Sequence, residues 1–289
     1  MGAAWQSKLA AGETLLIDGG TGTELRRRGV RLDAVAWSGM ASLTHYDLLR
    51  QIHADYIGAG AEVITTNTFG TSRFVLAAAG HDADFVAINR RAVQAAREAR
   101  DACGRDVAIA GSLSCLPPRF DLRAYPSQAE ERAAYRELTE LLAAAGVDLI
   151  ALEMLQDSRH AALACEAAAA TGLPFWLGLS CRSGLDGRLV GYDLEAEDFL
   201  GTAQTLLAYR PSVVAVMHSP IDATRDALTA LGTMTQTRLG AYPEWPIDSA
   251  ASEFARAAAE LGQLGAQVIG GCCGTRPEDI RAAGASLCG

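Results

Sequence analysis

The chain is 289 residues long, 49% hydrophobic, and carries a formal charge of -9. That length is routine for an α/β barrel folded as one domain. The acidic balance, with no clustered Lys and Arg, excludes a role in reading phosphate backbones or anionic membranes, and no apolar run is long enough to span a bilayer.

Short β-rich runs alternate with Ala-rich amphipathic stretches along the whole chain. Strands are expected at 15–18, 62–66, 107–112, 147–153, 175–180, 213–218, 238–242 and 268–272. Helices are expected between them, at 44–59, 83–102, 128–145, 158–171, 196–208, 221–231 and 249–264, with a last one from Pro277. Gly60, Gly104, Gly146, Gly172 and Gly265 follow predicted helices, where a left-handed stop is needed. Strand–helix repetition with short connections calls for a parallel sheet with crossover helices. The number of units points to a single-domain (β/α)8 TIM barrel over 1–289 rather than to a doubly wound sheet, whose glycine-rich dinucleotide loop is missing. The longest excursions, 31–43 and 116–125, are candidate lids over the mouth.

In such a barrel the C-terminal strand ends converge on one site. Those ends read Asp18-Gly19-Gly20, Thr66-Asn67-Thr68-Phe69, Gly111-Ser112, Glu153, Ser180-Cys181, Met217-His218, Tyr242-Pro243-Glu244 and Cys272-Cys273. Nearly every one offers a polar or metal-ligating group. Adjacent cysteines cannot easily span the geometry of a disulfide. On a backbone loosened by Gly270, Gly271 and Gly274 they suit one soft metal ion, with Zn2+ favoured because thiolates bind it well. The alternative, small buried hydrophobes, fits the paired spacing less well. The 7 cysteines, odd in number and scattered, do not form a secreted disulfide framework, and residues 1–12 lack the regions of a signal peptide. A cytoplasmic protein is expected. Cys103, Cys165 and Cys288 fall on or beyond helices, away from the mouth.

The segment Asp18-Gly19-Gly20-Thr21-Gly22-Thr23-Glu24-Leu25, the Thr66–Phe69 block, Glu153 in Leu-Glu-Met and the Gly270–Gly274 block together resemble the homocysteine S-methyltransferase family, in the family's order and over almost the whole chain. The resemblance implies a zinc-dependent barrel that moves a methyl group from a small onium donor to the thiol of homocysteine, giving methionine. Family donors include S-methylmethionine, S-adenosylmethionine and betaine. The first two are favoured here, because betaine-using relatives carry a longer C-terminal extension. The resemblance also implies that Asp18, Gly19, Gly20 and Glu153 grip the amino-acid end of the acceptor. Asn67 and Thr68 either position its carboxylate or brace their loop, and Glu153 in an internal ion pair is the rival to its ligand role.

Two positions depart from the family. Met217-His218 stands where an Asn-Cys pair normally supplies a third thiolate, and Tyr-Pro-Glu, ending in Glu244, replaces Tyr-Pro-Asn. His218 is the expected third ligand beside Cys272 and Cys273, with Cys181 on the neighbouring strand end as the alternative. Two thiolates and one neutral imidazole leave zinc with a formal charge of about 0 instead of about -1, which lowers a bound thiol's pKa further but leaves its sulfur less electron-rich. A different acceptor or donor (a selenol, another thiol, demethylation of another onium compound) fits the same departures, and a catalytically silent barrel is the remaining reading. No strong general acid is required, because the donor leaves as a neutral thioether or amine.

Overall fold

A computed structural model describes residues 4–287 except 122. Eight parallel strands form the central sheet: β1 (Leu15–Leu16), β2 (Val63–Thr65), β3 (Ala108–Ser114), β4 (Leu149–Leu155), β5 (Phe175–Leu179), β8 (Val213–Met217), β9 (Arg238–Tyr242) and β10 (Ala266–Ile269). A short antiparallel hairpin, β6 (Cys181–Ser183) with β7 (Leu189–Gly191), interrupts the alternation after β5. Neighbours pair in the order β1-β10-β9-β8-β5-β4-β3-β2. The ring closes where Ile17 bridges Val63 and the Asp18 amide donates to the Val63 carbonyl at 3.1 Å. This is the expected (β/α)8 barrel.

Alternation along the strands builds two cores. Leu15, Ile17, Val63, Ala108, Ala110, Leu149, Ala151, Trp176, Val213, Ala215, Met217, Tyr242 and Val268 form the interior cluster. The residues between them, such as Leu16, Ile64, Ile109, Ile150, Leu177, Val214 and Ile269, pack outward against the helices. The small interior side chains of Ala110 on β3 and Ala151 on β4 help to leave the upper barrel hollow. At the opposite end, the helix Ala4–Ala10 lays Trp5 and Leu9 into the interior cluster, with the Trp5 ring edge-on to Trp176 at 5.7 Å.

The helices end as their glycines require: Gly60, Gly104, Gly146, Gly172 and Gly265 all have positive φ. The helix Gln128–Ala145 starts in a capping box between Ser127 and Glu130, and Asp157 and Asp198 cap the next two. Several helices escape the sequence pattern, among them Ala4–Ala10, Thr21–Arg27 and Arg73–Ala78. The hairpin delays the helix expected from residue 196 to Phe199–Leu207. No helix among the described residues is long and apolar enough to cross a membrane.

Candidate active site

The loop after β10 is pinned on three sides. The Gly271 amide donates to the Asp18 carbonyl, the Cys272 amide to the Pro243 carbonyl, and the Gly274 amide to the Thr23 hydroxyl. The Cys273 carbonyl accepts from the Trp245 amide at 2.8 Å. Both thiols are thereby fixed beside His218, which follows β8 directly. Cys272 Sγ lies 3.5 Å from His218 Nδ1, and one donor atom from each of His218, Cys272 and Cys273 falls within 4.8 Å of the others. Among the described residues this is the group that could hold a metal ion.

The fit to zinc can be tested on that spacing. Zinc–sulfur and zinc–nitrogen bonds of about 2.3 and 2.0–2.1 Å at a tetrahedral centre place such donors about 3.6 Å apart. The Cys272–His218 separation of 3.5 Å agrees. His218 reaches it from a backbone with φ 42°, a region uncommon for a residue with a side chain. Its amide donates to the Tyr242 carbonyl at 3.2 Å, and its ring meets Tyr192 at 4.9 Å. The two thiols are tightly linked: a hydrogen bond from Cys272, and then the neighbouring imidazole, push Cys273 towards the thiolate despite burial.

Cys181 does not join them. It is fully buried at the start of the hairpin, its amide held by the Ser219 hydroxyl at 2.9 Å, and burial pushes its thiol up to about 12. The residue after a strand end enters or leaves the barrel according to strand alternation and the turn that follows, and here the hairpin takes Cys181 into the outer core. Cys115 and Cys165 are likewise buried in that core, and Cys103 packs against it. Cys288 lies outside the described residues.

The cluster of His218, Cys272 and Cys273 opens onto a cavity of about 400 Å³ that occupies the hollow upper barrel. Asp18 and Glu153 reach its wall from β1 and β4. Asp18 is 2% exposed and accepts from the Thr65 amide at 2.7 Å and the Thr65 hydroxyl at 3.0 Å. Burial nevertheless pushes its carboxyl up to about 8, with the Glu153 charge adding to the effect. Burial also raises Glu153 to about 7, against the hydroxyl of Ser112, which donates to its Oε2. Enclosed carboxyls are costly to ionise, and among the described residues only the His218 imidazole offsets this by its charge, at Glu153.

Other expected site residues have structural duties. Asn67 lines the cavity, but its amide is bound at both ends to Ser38. Thr68 is fully buried, absent from the cavity wall, and hydrogen-bonded to the Ser112 carbonyl and the Thr66 hydroxyl. Gly19 and Gly20 do line the cavity, and the sterics there concern the cysteine loop: a Cβ at Gly20 would lie 2.7 Å from the Cys272 carbonyl oxygen, and one at Gly19 2.9 Å from that of Thr275. The Gly20 amide is already donated to the Thr275 carbonyl at 3.1 Å.

Sequence reasoning missed much of the wall. Trp37 comes from the 31–43 excursion, Tyr192 and Asp193 follow the hairpin, and Trp176 lies within β5. Only the interior alternation could have marked Trp176. The excursion at 116–125, the other expected lid, does not line the cavity at its described positions.

Comparison with known proteins bears on this arrangement. Residues 15–287 match the homocysteine S-methyltransferase family. A homocysteine S-methyltransferase of Escherichia coli (strain K12) is 30% identical, the alignment covering 93% of this chain and 94% of that protein. A selenocysteine methyltransferase of Astragalus bisulcatus is 26% identical over 94% of this chain and 91% of its own. The metallated form of the homocysteine methyltransferase MmuM from Escherichia coli superposes with a TM-score of 0.81 at 27% identity, covering 97% of this chain and 98% of that one.

Proposed function

Because the chain belongs to the homocysteine S-methyltransferase family, we propose that it is a zinc-dependent enzyme that transfers a methyl group from a small onium donor to the thiol of homocysteine, giving methionine. S-methylmethionine and S-adenosylmethionine are the favoured donors. The observation that carries this reading is the placement of Cys272, Cys273 and His218 within 4.8 Å of one another, at a cavity whose wall also holds Asp18 and Glu153.

Zinc held by these three donors would supply Lewis acidity that keeps a bound thiol ionised at neutral pH, which an alkyl thiol alone is not. Glu153 and Asp18 take the acceptor's ammonium group and so fix where its side chain points. Met154, Trp176, Met217 and Tyr242 form an apolar wall around the path of transfer and keep water from competing. As the new carbon–sulfur bond forms, the donor's bond to the methyl carbon breaks, and its electron pair leaves on a neutral thioether. No side chain has to deliver a proton. Orientation and desolvation are therefore the protein's main contributions.

A second reading, the same chemistry with another acceptor such as a selenol, is favoured by one observation. A histidine in place of the third thiolate makes the site less electron-rich, which a more nucleophilic acceptor tolerates better. We place the catalytic unit in one domain and the protein in the reducing cytoplasm, where the paired thiols stay free. Zinc content together with methyl transfer from S-methylmethionine to homocysteine tests the proposal. About one zinc per chain with that transfer supports it, metal without it leaves the second reading, and loss of both overturns it.

A further inference from the structure

The mouth of the cavity has two chemically different rims. On one side Trp37 lines the wall with the Arg26 guanidinium 5.2 Å from its ring centroid. On the other side the chain leaving the β6–β7 hairpin brings Tyr192 and Asp193 to the wall. This second rim is held firmly. The Tyr192 amide donates to the Ser180 carbonyl at 3.2 Å, and its hydroxyl donates to Glu244 Oε2 at 3.1 Å. Gln156, buried just beyond β4, donates to Asp193 Oδ2 at 2.8 Å and accepts from the Asp193 amide at 2.5 Å.

The charges are one-sided. Among the described residues the cavity wall contains Asp18, Glu153 and Asp193, but no Lys or Arg. Glu244, which does not itself line the cavity, adds a fourth carboxylate at the Tyr192 hydroxyl. One buried donor is also unclaimed: Trp176, 2% exposed and part of the wall, has an indole N–H with no partner in the protein. Such a group is satisfied only by a ligand acceptor or water. The cavity is therefore matched to ligands that bring their own cations and can seat an acceptor on a neutral donor.

Building on the methyl-transfer reading above, we propose that Tyr192, Asp193 and Glu244 determine donor choice, selecting a sulfonium that also bears an ammonium group over an onium whose other end is only a carboxylate. The face of Tyr192, beside His218, offers an electron-rich surface to the sulfonium. Asp193, on the wall, is placed to meet the remaining ammonium group, and Glu244 adds its negative charge from the Tyr192 hydroxyl. Glycine betaine, or a dimethylsulfonium with a carboxylate tail, has no second cation to offset its carboxylate against this rim, so like charges oppose it. The acceptor's ammonium group is taken deeper, at Glu153 and Asp18.

Steady-state methyl transfer to homocysteine, with S-methylmethionine and dimethylsulfoniopropionate as competing donors, tests this on the zinc-loaded full chain. The wild type should prefer S-methylmethionine by at least about tenfold in kcat/KM, and D193N with E244Q should raise its KM about five- to tenfold and erode the preference. The KM for homocysteine should stay unchanged, which a general loosening of the mouth would not allow. Y192F, which removes only the hydrogen bond to Glu244, should shift the preference in the same direction. A transfer-competent protein that uses both donors equally, or whose preference survives the double substitution, overturns this inference and leaves the methyltransferase reading standing. Absence of transfer from every donor overturns both.

Discussion

Asn67 grips Ser38 at both ends of its amide. Its Oδ1 accepts from the Ser38 hydroxyl at 2.6 Å, and its Nδ2 donates to the Ser38 carbonyl at 2.8 Å. The bond ties the end of β2 to the 31–43 excursion that carries Trp37 to the cavity. Replacing Asn67 with alanine leaves buried polar groups unpaired, at a cost of about 1–3 kcal/mol. The variant should melt earlier and show raised KM for both substrates. An unchanged melting curve with a raised KM for homocysteine alone would mean that Asn67 touches the acceptor instead.

The metal set divides cleanly by substitution. His218→Ala should lose most of its zinc, whereas Cys181→Ser should keep it, because Cys181 is buried apart from the cluster. His218→Cys should retain metal, and its cobalt-substituted form should show stronger thiolate-to-metal charge transfer than wild type. Full zinc retention in His218→Ala, measured by elemental analysis, would remove the histidine from the ligand set.

His53 supplies a pH dependence of stability. It is fully buried in the helix Tyr46–Ala59, both ring nitrogens lack partners, and burial lowers its pKa to about 4. The unfolded chain, with an ordinary histidine near 6.5, binds the proton first as pH falls. The folded state is thus at full advantage above about 6.5 and loses it progressively down to about 4, by roughly 3 kcal/mol in all. Denaturant titrations across this range should show the slope in wild type, reduced in His53→Leu. Equal slopes would exclude His53 as its origin.

Gly274 has φ 86°, and a Cβ there would collide with the Trp245 carbonyl oxygen. Gly274→Ala should cost at least about 1–3 kcal/mol from the backbone alone and displace the cysteine loop. Zinc affinity should fall even at temperatures where circular dichroism reports a folded barrel. Unaltered affinity would show that the loop can adjust without moving the thiols.

The barrel was legible because its code is repetitive: alternating apolar residues, amphipathic helices and glycine stops recur in each unit. The hairpin was not, since Cys181–Ser183 and Leu189–Gly191 are too short to show alternation. The cluster of His218, Cys272 and Cys273 could be read because thiols and imidazole at strand ends have few structural uses. Asn67 and Thr68 were ambiguous for the opposite reason: amides and hydroxyls serve equally well for bracing and for binding. Tyr192 and Asp193 reach the wall through a chain reversal that no local pattern announces.

The helix at the base of the barrel bears on the order of events. Trp5 and Leu9 sit in the interior cluster, the Leu9 carbonyl accepts from Arg238 Nε at the start of β9, and Lys8 pairs with Glu62 at 2.5 Å just before β2. With that end sealed, traffic passes through the mouth. On the proposed reaction the thiol acceptor, bound beside the cysteines, would then have to enter before a donor at the rim, and the spent donor would have to leave before the product.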